Sequence, residues 1–131
     1  MSAVDTNVLV RYYVRDDNEQ FEKALALFQQ ATIQNPVYIN HVVLTEWVWV
    51  LTRAYKIRKK LIVTELEIML DSKEIELEDK ETLRKAIQEF EQSSADFSDC
   101  LISAKNQGSS KDPTFTFDKE ASKLKGMKLL T

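Results

Sequence analysis

Apolar and polar positions alternate along this chain in two rhythms. Short apolar runs bounded by polar or proline residues mark strands, and i, i+3, i+4, i+7 stripes mark helices. Residues 2–4 read as a short strand with Asp5 at its end, and residues 7–14 as a short helix. Asp17 can cap a second helix, with Gln20 in capping-box spacing and Phe21, Ala24, Leu25 and Phe28 on one face. That pattern fades near Gln34 and Asn35, and Pro36 breaks the chain before a strand, Val37-Tyr38-Ile39. Asn40 can cap the next helix, which runs to about residue 55. Thr45, Glu46, Thr52 and Arg53 share one stripe of it, with Trp49 between them, and its remaining Val, Leu and Trp residues predict a largely buried helix.

Further helices are predicted over residues 59–70, with Leu61, Leu66, Met69 and Leu70 apolar, and over residues 80–92, with Leu83, Ala86, Ile87 and Phe90. Ile75-Glu76-Leu77 between them reads as a strand. After the break at Ser93-Ser94, residues 96–107 carry a stripe of Phe97, Cys100, Leu101 and Ala104, with Asp96, Asp99 and Ser103 on another face and Gly108 as the C′ residue. Strands at 114–117 and 127–130 flank a short helix at 121–125 closed by Gly126. Strands alternating with helices predict an α/β fold whose parallel sheet is covered on both sides.

Bulk properties narrow the class. A chain of 131 residues predicts one domain with a real core. No stretch approaches a membrane span. No basic region followed by a longer apolar run stands at the start, so the expectation is a cytoplasmic protein without a signal peptide. The single Cys100, in an apolar helical stripe, excludes an internal disulfide framework and reads as a buried structural thiol. A net charge of −3, from 21 acids against 18 bases, argues against a classical basic nucleic-acid binder but not against an enzyme that grips nucleic acid locally. His41 is the one histidine. A nuclease working with two imidazoles, or a histidine-rich zinc site, cannot be built from this chain. His41 itself reads as a polar residue at a helix start.

Four acids are harder to place. Asp5 and Asp118 each follow a predicted strand, at the rim of a parallel sheet where ligands collect. Glu46 and Asp99 lie one to two turns into helices. Carboxylates brought together there repel one another unless a cation offsets their charge, and hard oxygen donors suit Mg2+ or Mn2+. Such an ion would hold a water against a phosphodiester and lower that water's pKa. Asn7 and Thr116 are small polar neighbours suited to orienting carboxylates or water. Each acid also has a plainer role open to it. Asp5 can cap the following helix, Glu46 can sit on an exposed stripe, Asp96 can be an N-cap, Asp99 can complement a helix dipole, and Asp118 can start a turn or a cap.

The order of these residues resembles the PIN-domain ribonucleases. Val4-Asp5-Thr6-Asn7-Val8-Leu9 is similar to that family's opening motif, and Thr45-Glu46 in an apolar helix to its second acid. Ala95-Asp96-Phe97-Ser98-Asp99-Cys100-Leu101-Ile102 resembles its third motif, with Asp99 the near-universal acid and Asp96 an accessory one. Thr116-Phe117-Asp118-Lys119 and the following Lys123-Leu124-Lys125-Gly126 resemble its last. Size and spacing are most similar to the VapC toxins of VapBC type II toxin–antitoxin modules. The first strand is less hydrophobic than the family's usual one.

The resemblance implies a three-layer α/β/α sandwich around a central parallel sheet and a Mg2+- or Mn2+-dependent endoribonuclease acting on structured RNA, especially transfer RNA. It also implies a homodimer and a VapB-like antitoxin partner. On it, Asp5, Glu46, Asp99 and Asp118 form the metal pocket, with Asp5 and Asp99 as direct ligands and Asp96, Asn7 and Thr116 in support. Arg53, Lys56, Arg58, Lys59 and Lys60 either guide phosphates or form a solvated helix junction, and Arg11 lies near the first acid to meet RNA or an antitoxin carboxylate. The competing expectation is a non-catalytic PIN-like module whose pocket captures a basic partner peptide. A receiver- or phosphatase-type domain fits poorly, because Asp5-Thr6-Asn7 lacks a second acid two residues on and no phosphate-cradling glycine loop is present.

Overall fold

In a computed structural model describing residues 1–131, the chain divides into two compact units, Met1–Glu78 and Asp79–Thr131. The elements are α-helices and parallel strands, an α/β fold as the pattern predicts. No helix is long and apolar enough to cross a membrane.

The first unit contains β1 (Ser2–Ala3), α1 (Thr6–Tyr13), α2 (Asn18–Gln29), β2 (Val37–Ile39), α3 (His41–Arg53), α4 (Lys59–Asp71) and β3 (Ile75–Leu77). Its three strands are parallel in the order β1-β2-β3, with Ser2 opposite Val37 and Tyr38 opposite Glu76. Parallel neighbours require long crossovers, and helix pairs supply them. Because the strands run the same way in register, their carboxyl ends share one rim, from which α1 and α3 both start. β1 is only two residues long and exposed, as its weak hydrophobicity leads one to expect. β2 is well specified, with Val37 and Ile39 buried and Tyr38 half-buried.

Caps set the helix starts. Asp17 Oδ1 accepts from Gln20 N at 3.0 Å and Asn40 Oδ1 from Val43 N at 2.9 Å. The capping box at α2 is only half made, because the Gln20 side chain turns away to accept from Arg11 Nε at 2.7 Å. α2 also ends sooner than its apolar pattern, since Thr32 and Asn35 close a turn on each other through backbone and hydroxyl bonds.

α3 buries Val43, Leu44, Trp47, Val48 and Leu51. Full burial of each such side chain stabilises by about 1.5–3 kcal/mol. Trp49, placed on the polar stripe, is 59% exposed, and the expected burial of the remaining apolar positions is corrected at Val42, 67% exposed on the face that also carries Glu46. Leu61 in α4 is likewise exposed, and Ile62 and Val63 take the core positions instead. His41 is buried at the first turn of α3. Its backbone N–H donates to Glu78 Oε1 at 2.8 Å and its Nε2 lies 2.7 Å from the Glu78 carbonyl oxygen, tying α3 to the end of β3.

The second unit contains α5 (Lys80–Gln92), α6 (Phe97–Gly108), β4 (Thr114–Thr116), a 3-10 turn (Ala121–Lys123) and β5 (Met127–Leu129). Asp79, at a left-handed φ of 42°, caps α5 by accepting from Thr82 N and Thr82 Oγ1. α5 packs along α6, with Phe90 edge-to-face on Phe97 at 5.5 Å between centroids. β4 and β5 pair in parallel, Thr114 opposite Met127.

One reading of this unit needs correction. Gly108 is the last helical residue rather than C′, and the left-handed position belongs to Ser110 at φ 57°. Ser110 N donates to Gln107 O and Lys111 N to Asn106 O, the two bonds of a Schellman motif. Ser103, read on a face other than the apolar stripe of Phe97, Cys100, Leu101 and Ala104, is fully buried under Gly126. A Cβ at Gly126 would lie 2.6 Å from Ser103 Oγ and 2.5 Å from Gln107 Cδ, so only glycine lets the chain enter β5 so close to α6.

Candidate active site

The first unit supplies two of the predicted acids at its strand rim. Asp5 lies two residues past β1 and caps α1, its Oδ1 accepting from Val8 N at 3.1 Å. The cap occupies one oxygen of an exposed carboxylate and leaves the other uncommitted, so capping and ligation are compatible here. Glu46 is exposed, one turn into α3. Its Oε1 accepts from the hydroxyl of Thr6 at 3.1 Å. Thr6 was not singled out in the sequence, yet it joins the first motif to the second. Its partner is forty residues away, and only the parallel register that starts α1 and α3 at one rim brings the two together. Asn7 stands beside Asp5 on the wall of a groove of about 330 Å³ built from α1 and α2.

The second unit supplies the other two acids. Asp96 holds the N-cap position of α6, but its carboxylate makes no cap bond and is not absorbed by the helix end. Asp99 lies half-buried in the first turn. Its carboxyl is held above the ordinary carboxylate range by burial first, then by the charges of Asp118 and Asp96. Asp118 follows β4, as expected, and caps the 3-10 turn, its Oδ1 accepting from Ala121 N at 3.0 Å. Asp118 N donates to Thr116 Oγ1 at 3.0 Å. Thr116 thus holds the Asp118 backbone rather than its carboxylate.

The donor set consists of hard oxygens and fits Mg2+ or Mn2+ rather than a thiol- or imidazole-bound metal: Cys100 is buried and His41 is tied to Glu78. Neither unit by itself gathers three His, Cys, Asp or Glu side chains in an arrangement able to hold a metal ion. Asp5 and Glu46 belong to the first unit and Asp96, Asp99 and Asp118 to the second. Mutual repulsion at Asp99 is the electrostatic condition that a divalent cation relieves.

Among the basic residues, Arg11 lies near Asp5, as expected, on the wall of the same groove. Its Nη1 donates to Asp16 Oδ1 at 2.8 Å and to Tyr55 Oη at 3.1 Å, and its Nε to Gln20, so it clamps α1 to the following loop and to the end of α3. Arg53, Lys56 and Arg58 are exposed at the α3–α4 junction and take part in no ion pair. Lys56 closes α3 in the left-handed region at φ 56°.

The family model for the PIN domain matches residues 3–127. No curated protein matches the chain. PIN domains are a nuclease-type family whose members are typically metal-dependent hydrolases, in keeping with acids placed after β1, within α3, at the start of α6 and after β4. With nearly its whole length matched, the chain belongs to the PIN-domain family.

Proposed function

We propose that this PIN-domain protein is a Mg2+- or Mn2+-dependent endoribonuclease of the VapC toxin type, acting as one domain over residues 1–131. On this reading Asp5, Glu46, Asp99 and Asp118 are the metal-holding and catalytic set, and Asn7, Asp96 and Thr116 position them. The observation that carries the reading is the electrostatic neighbourhood of Asp99. Burial raises its carboxyl first, and the charges of Asp118, nineteen positions along the chain, and of Asp96 raise it further. A bound divalent ion would offset that charge and polarise a water for attack on a phosphodiester. The chain's own part is to hold carboxylates at fixed places: Asp5 through its cap to Val8, Glu46 through Thr6, and Asp118 through Thr116 and Ala121.

The substrate we propose is structured RNA, transfer RNA first among them. Arg53, Lys56 and Arg58 are the exposed cations available to its phosphates. A VapB-like antitoxin, a homodimeric toxin and a cytoplasmic location belong to the same reading and rest on the resemblance of the motifs. The test is incubation of purified, antitoxin-free protein with total transfer RNA and MgCl2 or MnCl2, with and without chelator. Discrete cleavage that chelator abolishes and Asp5→Asn removes is the expected result. Partner-peptide binding indifferent to chelator, with no RNA turnover under any metal, would replace the nuclease with a non-catalytic interaction module.

A further inference from the structure

The groove beside Asp5 carries polar groups whose hydrogen-bond donors folding does not exhaust. α1 contributes Asn7 and Arg11 to it, and α2 contributes Gln20 and Lys23 from one helical stripe. Val8, Ala24 and Leu27 line it with apolar surface. Its volume of about 330 Å³ falls at the lower end of small-molecule sites, the size of a single nucleotide rather than of a folded partner element.

Gln20 is the informative residue. Its spacing from Asp17 would let it close a capping box, but its side chain is diverted to Arg11, 2.7 Å away. Arginine only donates, so the carboxamide oxygen must face it, and the amide nitrogen keeps its two N–H donors for another partner. Arg11 is in turn held by Asp16 and Tyr55, with Tyr55 Oη donating to Asp16 Oδ2 at 2.6 Å. The orientation of Gln20 is therefore set by a chain of four side chains. The Nη2 group of Arg11 makes none of these bonds and keeps its donors too. Lys23 adds a positive charge, paired only with exposed Glu19 at 3.4 Å.

Such a wall offers donors to a ligand edge rich in acceptors. Guanine shows two adjacent acceptors, O6 and N7, and arginine-type donor pairs match them. Adenine demands an acceptor and a donor together from a glutamine, and here the glutamine oxygen is turned to Arg11. An unstacked RNA base is read in this manner, on its edges and against apolar surface. A carboxylate-bearing peptide shows acceptors as well, but it has no flat face to lay against the apolar wall of Val8, Ala24 and Leu27.

We propose that this groove is a base-reading subsite for a guanosine nucleotide of the RNA substrate adjacent to the cut, with Gln20 and Arg11 reading the base and Lys23 its phosphate. The proposal rests on the endoribonuclease reading for its place beside the cut, and nucleotide binding alone tests the subsite. Isotope-labelled protein without added metal is titrated with GMP, AMP, CMP and UMP while amide resonances are followed. GMP is expected to shift the amides of Val8, Gln20, Lys23 and Ala24 at a concentration at least fivefold lower than the other three nucleotides. Gln20→Glu, which replaces the donors with a charge, is expected to abolish that preference. Lys23→Ala, on an exposed side chain, is expected to weaken GMP binding with no change in melting temperature.

Mapped cleavage ends should show guanosine enriched next to the cut, and Gln20→Ala should relax that enrichment at least fivefold. GMP seated in the groove of a protein that never cuts RNA would uphold the subsite and sink the nuclease reading. Metal-dependent cleavage with unchanged site choice in Gln20→Ala and no groove response to GMP would overturn the subsite and leave the nuclease standing. A groove that responds to hexaglutamate peptide but not to GMP would overturn it in favour of a protein ligand.

Discussion

Two aspartates in this molecule meet opposite fates. Asp16, in the first unit, accepts from Tyr55 Oη and from Arg11, and its carboxyl is held below the ordinary range, by the Tyr55 bond first and the Arg11 charge after it. Asp99, in the second unit, has two acids for neighbours and is pushed the other way, by burial first and then by Asp118 and Asp96. Selection for stability produces the first kind of setting, in which each charge finds a partner. The second kind weakens the metal-free fold and persists where another need maintains it, which makes it a pointer to function. The two can be told apart by experiment because their variants should move activity and stability in opposite directions.

The largest expected effect is on activity at Asp99. Asp99→Asn should lower metal-dependent RNA cleavage by about a hundredfold or more, the scale seen when a charge-stabilising group is lost from an active site. The same substitution should raise the melting temperature of the metal-free protein, because it removes a repelled carboxylate. Asp16→Asn should lower the melting temperature while cleavage changes far less. Loss of both activity and stability in Asp99→Asn would erase the distinction between the two regions.

Next come the residues that position the acids. Thr6→Val releases Glu46 and Thr116→Val releases the turn at Asp118. Each should cost roughly ten- to a hundredfold in cleavage or in metal affinity, the usual range for groups that orient ligands. Measured by metal titration and by initial rates, an unchanged Thr6→Val protein would remove Glu46 from the site.

Much of this was legible beforehand, for reasons that differ by residue. Asp5, Asp17 and Asn40 were readable as caps because capping is local: a short acceptor side chain reaches a backbone N–H three residues on. β2 and β3 were readable because Pro36 and flanking polar residues bracket runs of Val, Ile and Leu. The acids of the two units could be assigned to strand ends and helix starts, since the α/β pattern defines a rim. Partners distant in sequence were not legible. Neither the Thr6–Glu46 bond nor the Arg11–Asp16–Tyr55 clamp has any local signature.

The faces of helices were less legible where a stripe was nearly but not wholly apolar, as at Val42 and Leu61. A helix face is chosen by what packs against it, and Ser103 is buried because Gly126 presses on α6. The left-handed cap fell to Ser110 rather than to Gly108 for a related reason. The Schellman bonds to Asn106 and Gln107 determine where the turn closes, and a glycine one turn position too early does not move it.

A moderate effect separates the regions by pH. A carboxyl whose folded pKa is raised binds its proton more tightly in the native state. Its stabilising contribution is complete below the unfolded value and is lost as pH rises through the raised folded value. The stability advantage of Asp99→Asn over the unsubstituted metal-free protein should therefore grow from acid to neutral pH, and added Mg2+ should shrink it. Asp16 has the opposite sign. Its contribution is present above the ordinary carboxylate value and is lost as pH falls through the depressed folded value, so the Asp16→Asn deficit should fade in acid. Chemical denaturation across pH 3 to 8, with and without Mg2+, reads both.

The smallest expected effect concerns a cap remote from both settings. Asp17→Ala removes the bond to Gln20 N and should cost about 1 kcal/mol of stability. It also frees the start of α2, which carries Gln20, so the groove beside Asp5 should respond before the acids of the second unit do. A change at Asp99 in that variant would show that the two regions are not independent.

Paramagnetic broadening by Mn2+ tests the central claim most directly. Trace Mn2+ added to isotope-labelled protein should broaden the amides around Asp5, Glu46, Asp96, Asp99 and Asp118 at one common concentration, and Asp99→Asn should weaken the whole set together. Broadening spread evenly over surface acids such as Glu19, Glu91 and Glu120, with the motif residues untouched, would contradict it.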